Sequence, residues 1–165
     1  MEYEVPMRPP LFTQVTQIGM VVPDLEAAIR HYEEDYGIGP WQRWELDPER
    51  ASDVQVNGQP AELWRVKVAS AMVGSMHWEL TEPLDDQSIF GKFLVATGGG
   101  VHHLAVAAPD CDAALAVPAG QGRELAMSGT FYGVRVSYLP TDRDLGVLLE
   151  VFDRMPGDVG APDAT

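Results

Sequence analysis

The 165-residue sequence predicts an α+β fold of two tandem βαβββ modules that together form an open, barrel-like mixed sheet around a central cavity, and three observations predict it. First, QIGMVVPDLEAAI from Gln17 and HLAVAAPDCDAAL from His103 match in character at nearly every position, at an offset of 86 residues. Second, WRVKVAS from Trp64 resembles YGVRVSY from Tyr132, and ELTEP from Glu79 resembles EVFDR from Glu150, so the blocks recur in the same order. Third, each copy opens with an apolar strand pattern broken by Pro-Asp, a helix-entry signal. Self-similarity of this kind marks a tandem structural unit. It makes Gln17 equivalent to His103 and Glu79 equivalent to Glu150. A single domain over 1–165 follows, with module one at 13–84, module two at 99–154 and a flexible tail over 155–165.

Each element has a local cause. QVTQIGMVV carries the apolar pattern of a strand, and Asp24 after Pro23 can accept from the unpaired N–H groups of a first helical turn. A helix is predicted from about Leu25 to Tyr36, with Leu25, Ala28, Ile29, Tyr32 and Tyr36 on one face. Gly37 can take the left-handed conformation that ends it. Strands are predicted over 41–46, 62–73 and 76–81, separated by the turn-rich VNGQP and GS. QSIFGKFLVAT reads as a short amphipathic helix, and Gly98, Gly99 and Gly100 as a hinge-like connector. In module two, strands are predicted over 101–108, 123–127, 132–139 and 146–152, with a helix after Asp110 that Pro118 should cut short.

Composition narrows the function. With 25 acidic and 11 basic side chains the formal charge is −14, which disfavours a nucleic-acid backbone or an anionic membrane as partner. Apolar runs fall far short of the roughly 20 residues that span a bilayer. The start MEYEVPMRPP has neither the basic nor the apolar region of a secretory signal, and the lone Cys111 cannot form an internal disulfide. These features predict a cytoplasmic protein acting on a small molecule. Cys111 stands where the first copy has Leu25, so it is expected in the core rather than as a nucleophile.

Strand side chains alternate faces, so Gln17 and Glu79 can both point inward from the first and last strands of module one, and His103 and Glu150 do the same from module two. Two pairs of equivalent polar residues in otherwise apolar strands are hard to explain as packing, because an unpaired buried carboxylate is very unfavourable. One imidazole, one amide and two carboxylates suit a single divalent ion such as zinc, cobalt, nickel or manganese. Ordinary, partly exposed strand positions and a metal-free polar pocket are the alternatives at this point.

QIGMVVPDLEAAIRHYEEDYGIGPW, ELTEPL followed by SIFGKFL, GVHHLAV and GVLLEVFD together resemble the vicinal oxygen chelate superfamily, which comprises glyoxalases, bleomycin resistance proteins and dioxygenases. The likeness is greatest to its methylmalonyl-CoA epimerase and glyoxalase-like branch, and it runs from about Phe12 to Phe152. It implies the glyoxalase-like fold and one metal held by Gln17, Glu79, His103 and Glu150. The epimerases usually carry histidine where this chain has Gln17, and glutamine there resembles eukaryotic glyoxalase I. The resemblance also implies a homodimer, in keeping with exposed sheet edges.

The chemistry so implied is removal of a proton next to a carbonyl that the metal polarises, with a carboxylate as general base. Glu150 is the first candidate for that base and Glu79 its counterpart. Glu62, near the place of an additional base in the epimerases, is a third candidate. His77 shares strand parity with Glu79 and is placed against the substrate, as is Trp64 in the cavity wall. His102 should face away from His103 and act in packing or support. The leading expectation is therefore a metal-dependent isomerase or epimerase acting on a small organic or acyl-thioester substrate. A glyoxalase-type lyase and a non-catalytic antibiotic-binding protein of the same fold are the alternatives.

Overall fold

The computed structural model describes residues 8–46, 48–62 and 65–154. Module one supplies β1 (Gln14–Val21), α1 (Leu25–Tyr36), β2 (Gln42–Leu46), β3 (Ala51–Val56), β4 (Gln59–Pro60), β5 (Val66–Val73) and β6 (Met76–Pro83). After α2 (Ile89–Thr97), module two supplies β7 (Gly100–Ala107), α3 (Cys111–Gly120), β8 (Met127–Phe131), β9 (Val134–Leu139), α4 (Asp142–Leu145) and β10 (Leu148–Phe152). All ten strands join one mixed sheet in the order β2-β5-β6-β1-β7-β10-β9-β8-β3-β4.

The register makes the repeat physical. Gln17 pairs with His77 and Gly19 with Glu79 across β1 and β6; His103 pairs with Leu148 and Ala105 with Glu150 across β7 and β10. The neighbouring ladder repeats as well, since Ser70 faces Glu79 and Tyr138 faces Glu150. At the seam, antiparallel β1 and β7 pair Gln17 with Ala105, Ile18 with Leu104 and Gly19 with His103. That pattern is symmetric about the Ile18–Leu104 pair, so a local twofold axis passes there and relates one half of the site to the other.

Sheet curvature follows from the connection after β2. β3 comes only a few residues later in the chain, yet it pairs with β8 at the opposite end of the sheet. The two ends therefore approach one another, and the Tyr132 hydroxyl donates to the Glu45 carbonyl at 3.2 Å. The result is an open half-barrel. Its inner face carries Val21, Val66, Val68, Met127, Val136, Tyr138 and Leu148, sealed at one side by Phe90 of α2. Outside, α1 covers Ala69, Ala71 and Leu80 with Leu25 and Ile29, while α3 covers Val106, Leu149 and Val151.

The helix boundaries are chemically marked. Asp24 and Asp110 accept from the backbone N–H groups of Ala27 and Ala113, both at 2.9 Å, and Ser88 accepts from Gly91 at 2.9 Å. Gly37 closes α1 at φ 64°.

Five expectations are corrected. The strand pattern over 51–60 was hidden in a segment read as turns; it forms the β3–β4 hairpin that reaches the far edge. β8 lies at Met127–Phe131, four residues beyond the predicted start, because Arg123 is held instead by Asp144 at 2.9 Å and by the Pro140 carbonyl. Pro118 sits inside α3 without ending it; the helix runs to Gly120, since only the last turn loses a backbone donor. Gly99 is no hinge: a Cβ there would come within 2.8 Å of the Val21 carbonyl, so the glycine lets the chain press against the end of β1. Cys111 is half-buried at the edge of the outer core, where Leu25, its counterpart, is fully buried.

Candidate metal centre

The central strands β6-β1-β7-β10 each deliver one of the four predicted ligands to the inner face of the half-barrel. His103 on β7 is fully buried, and its Nε2 is the point on which the others close. Glu150 Oε2 lies 3.4 Å from it and Glu79 Oε1 3.6 Å. The Gln17 amide stands 3.3 Å from the same nitrogen and donates to Glu150 Oε2 at 3.5 Å. Rotation of that amide by half a turn presents its oxygen in place of its nitrogen. The structure thus brings together Gln17, Glu79, His103 and Glu150.

Room for the imidazole comes from Gly19, whose backbone lies directly beneath it. A Cβ built there would fall inside the ring's van der Waals surface, 2.5 Å from Nδ1 and nearer still to Cε1 and Nε2. The symmetry mate of Gly19 is Ala105, beneath Gln17, where a linear amide leaves space for a methyl group. On the other sides, Tyr138 and Phe90 pack edge-on against the imidazole, with centroids 5.3 and 6.4 Å away.

A β-bulge sets the partner of the other ring nitrogen. Gly19 pairs with His103 but Met20 pairs with Val101, leaving His102 as an extra residue in β7. Instead of facing the opposite side as strand alternation predicts, His102 turns to the same interior, and its Nδ1 lies 3.1 Å from His103 Nδ1.

The electrostatics are those of a buried, acid-rich pocket. Burial opposes charge on His103, yet Glu150 and Glu79 outweigh it and raise its pKa above the ordinary imidazole value. Burial raises the Glu150 carboxyl to about 7, with Glu79 adding to the rise while His103 and a hydrogen bond from Tyr138 oppose it. His102 is driven down to about 3, by burial first and by its neighbour His103 second.

Whether this set fits a metal can be judged from its spacing. Four side-chain separations span 3.3 to 3.6 Å. The edge of a tetrahedron with bonds of about 2.1 Å is about 3.4 Å, and these four contacts have the length of four of its six edges. Among the described residues no three His, Cys, Asp or Glu side chains form a finished shell around a common point, because the carboxylates close on Nε2 itself. A cation would take the position that those contacts now fill. Donor chemistry and spacing fit the group.

Other predicted site residues lie further out. His77 is exposed on the inner face of β6, in register with Gln17, with its Nδ1 3.3 Å from Ser70 Oγ. Glu62 is exposed in the segment between β4 and β5, outside the strand on which it was expected. Trp64 lies outside the described residues, as does 155–165. Trp41 and Trp78 belong to the outer core under α1. Tyr138, Phe90 and His102 were not singled out as lining the centre; the alternation of Val134, Val136 and Tyr138 carried the signal for the tyrosine. Beside His102 a cavity of about 800 Å³ opens between α2, α4 and the β3–β4 turn. Its charged lining is mixed, with Lys92, Arg123 and Arg143 beside Asp142 and Asp144.

Comparison with known proteins places this geometry in a family. The profile of the glyoxalase/bleomycin resistance protein/dioxygenase superfamily matches residues 16–138, and the chain belongs to that superfamily. Among solved structures, methylmalonyl-CoA epimerase from Mycobacterium tuberculosis is similar with a TM-score of 0.68 at 23% identity, over 95% of this chain and 98% of that one. A variant of the Streptomyces coelicolor methylmalonyl-CoA epimerase in complex with 2-nitronate-propionyl-CoA is similar with a TM-score of 0.64 at 25% identity, over 86% and 96% of the two chains. No protein of curated function matches the sequence. No helix among the described residues is long and apolar enough to cross a membrane.

Proposed function

We propose that the protein is a metal-dependent epimerase or isomerase that removes and returns a proton next to the carbonyl of a small acyl thioester or related organic substrate. The observation that carries this reading is the pair of twofold-related glutamates: Glu79 on β6 and Glu150 on β10 flank the central strands and stand 3.6 and 3.4 Å from His103 Nε2. Inverting a carbon centre needs a proton taken on one side and delivered on the other, and two carboxylates related in this way meet that need.

Gln17, Glu79, His103 and Glu150 would hold one divalent cation, zinc, cobalt, nickel or manganese, which when bound polarises the substrate carbonyl. The chain's own groups manage the proton. Glu150 would leave the cation to accept the proton, and Tyr138, facing it across the β9–β10 ladder, orients it. Glu79, with 17% of its side chain exposed, opens toward module one, where His77, Ser70 and the half-exposed Met72 leave room for substrate. Glu150, buried beside Tyr138, is the better shielded of the two, which strengthens its interactions.

Acyl-CoA is the favoured substrate class. A solved relative holds methylmalonyl-CoA, and Lys92 and Arg143 stand around one cavity, where Asp142 and Asp144 also lie and Arg123 is paired with Asp144. The test is deuterium uptake from solvent at the α-carbon of methylmalonyl-CoA, with metal added or chelated. Metal-dependent uptake with inversion, and at least about 100-fold loss of inversion in Glu79→Gln and Glu150→Gln at saturating metal, is the expected result. No metal-dependent uptake from any acyl thioester overturns the reading. Gln17 favours a glyoxalase-type reaction as second reading, and turnover of a hemithioacetal in the same assay would select it. A homodimer is proposed as well; sedimentation as an 18.0 kDa species at micromolar concentration would refute it.

A further inference from the structure

His102 is the feature that the proposed reaction leaves unused: a buried histidine beside the centre, brought there by an extra residue in β7. Its ring is clamped by Phe93 and Phe90, with centroids 4.9 and 5.0 Å away, so its orientation is fixed by packing. The two Nδ1 atoms of His102 and His103 are 3.1 Å apart, a hydrogen-bond distance between two nitrogens that share one proton.

We infer that His102 is a positioning residue, a neutral acceptor whose Nδ1 receives the Nδ1–H of His103 and so fixes His103 in the tautomer that presents a bare Nε2 to the centre. The inference rests on the metal-binding reading above. A ligating histidine commonly donates its second N–H to a carboxylate or a carbonyl, which sets tautomer and ring direction. Here a carboxylate would be a third negative charge beside Glu79 and Glu150, whereas the two glutamates alone balance a divalent cation. A neutral imidazole orients the ligand and leaves that balance intact. With Nδ1 accepting, His102 carries its own proton on Nε2, and the residue lines the cavity of about 800 Å³. The bulge explains how two consecutive strand residues reach the same interior: regular alternation would send His102 outward and leave the His103 Nδ1–H buried among aromatic rings.

Two measurements test this. In the protein loaded with zinc, long-range proton–nitrogen correlation of the histidine rings should show His103 protonated at Nδ1 and His102 protonated at Nε2 only. A proton on His102 Nδ1 overturns the inference without any substitution. Zinc affinity, from competition with a chromogenic chelator, should then fall about 10- to 100-fold in His102→Phe, which keeps an aromatic ring and removes the acceptor. His102→Asn, which keeps an acceptor near the Nδ1 position, should stay within about threefold of the parent. Equal affinity of the parent and His102→Phe overturns the inference and leaves the metal centre standing. A parent that binds none of the four metals overturns both.

Discussion

Gly19→Ala is the most direct probe of how the fold makes room for its site. The added methyl group would meet the His103 ring, and even at Nδ1 the separation is 2.5 Å. Ordinary contact is about 3.5 Å, so ring or strand must yield by at least about 1 Å. The ring has nowhere to go: it is fully buried, and Tyr138, Phe90 and His102 surround it. Overpacking of this kind costs about 1 to 3 kcal/mol. Part is offset by the smaller chain entropy of alanine in the unfolded state, about 0.5 to 1 kcal/mol. A net loss of about 1 to 2 kcal/mol lowers the unfolding midpoint by about 2 to 8 °C in a domain of this size. Metal affinity should suffer more, because an imidazole moved by about 1 Å no longer meets Gln17 and Glu150 at the spacing seen here; a loss of at least about 10-fold is expected. Thermal unfolding with chelator present separates the first effect from zinc competition, which reports the second. A Gly19→Ala protein with the parent's midpoint and zinc affinity would refute the packing argument. Gly99→Ala is a useful contrast, since its strain falls at the end of β1 and should lower the midpoint while sparing metal affinity.

Other outcomes follow from charge and capping. Because burial raises Glu150 to about 7 from an ordinary value of 4.5, its contribution to stability is present at low pH and lost as pH rises through about 7. His103, also raised, acts in the same direction. The metal-free protein should therefore lose stability between about pH 4.5 and 7, and Glu150→Gln should lose less over that range; an equal fall in both would contradict the assignment. Added zinc should raise the midpoint more at pH 8 than at pH 6, since cation binding requires the deprotonated donors. Asp24→Ala removes the acceptor for Ala27 N–H and should cost about 1 kcal/mol, or about 2 to 4 °C, without altering metal affinity.

Much of this organisation is legible in the sequence because it rests on a repeat. The offset of 86 residues pairs Gln17 with His103, and the ladders Gly19–Glu79 and Ala105–Glu150 show why one spacing rule serves both halves. What breaks the repeat is harder to read. The β3–β4 hairpin belongs to module one in sequence and to the edge of module two in space, and only the curvature of the sheet reveals a partner for its few apolar residues. His102 looks like an outward strand residue because a bulge leaves no local mark in GVHHLAV; its cause lies across the ladder, in Gly19 and Met20. Glu62 lies outside β5, which begins only at Val66, and the apolar residues around it gave no mark of that later start. Tyr138 was readable in principle, since it alternates inward with Val134 and Val136, but its place beside Glu150 depends on β9 pairing with β10.

The central claim is that Gln17, Glu79, His103 and Glu150 hold one metal ion. Elemental analysis of the protein purified without chelator, beside His103→Ala, tests it most directly. The expected result is close to one equivalent of a divalent metal in the parent and little in the variant, with both retaining the fold by circular dichroism. Equal metal content in the two, or none in either after reconstitution with zinc, cobalt, nickel and manganese, would contradict the claim.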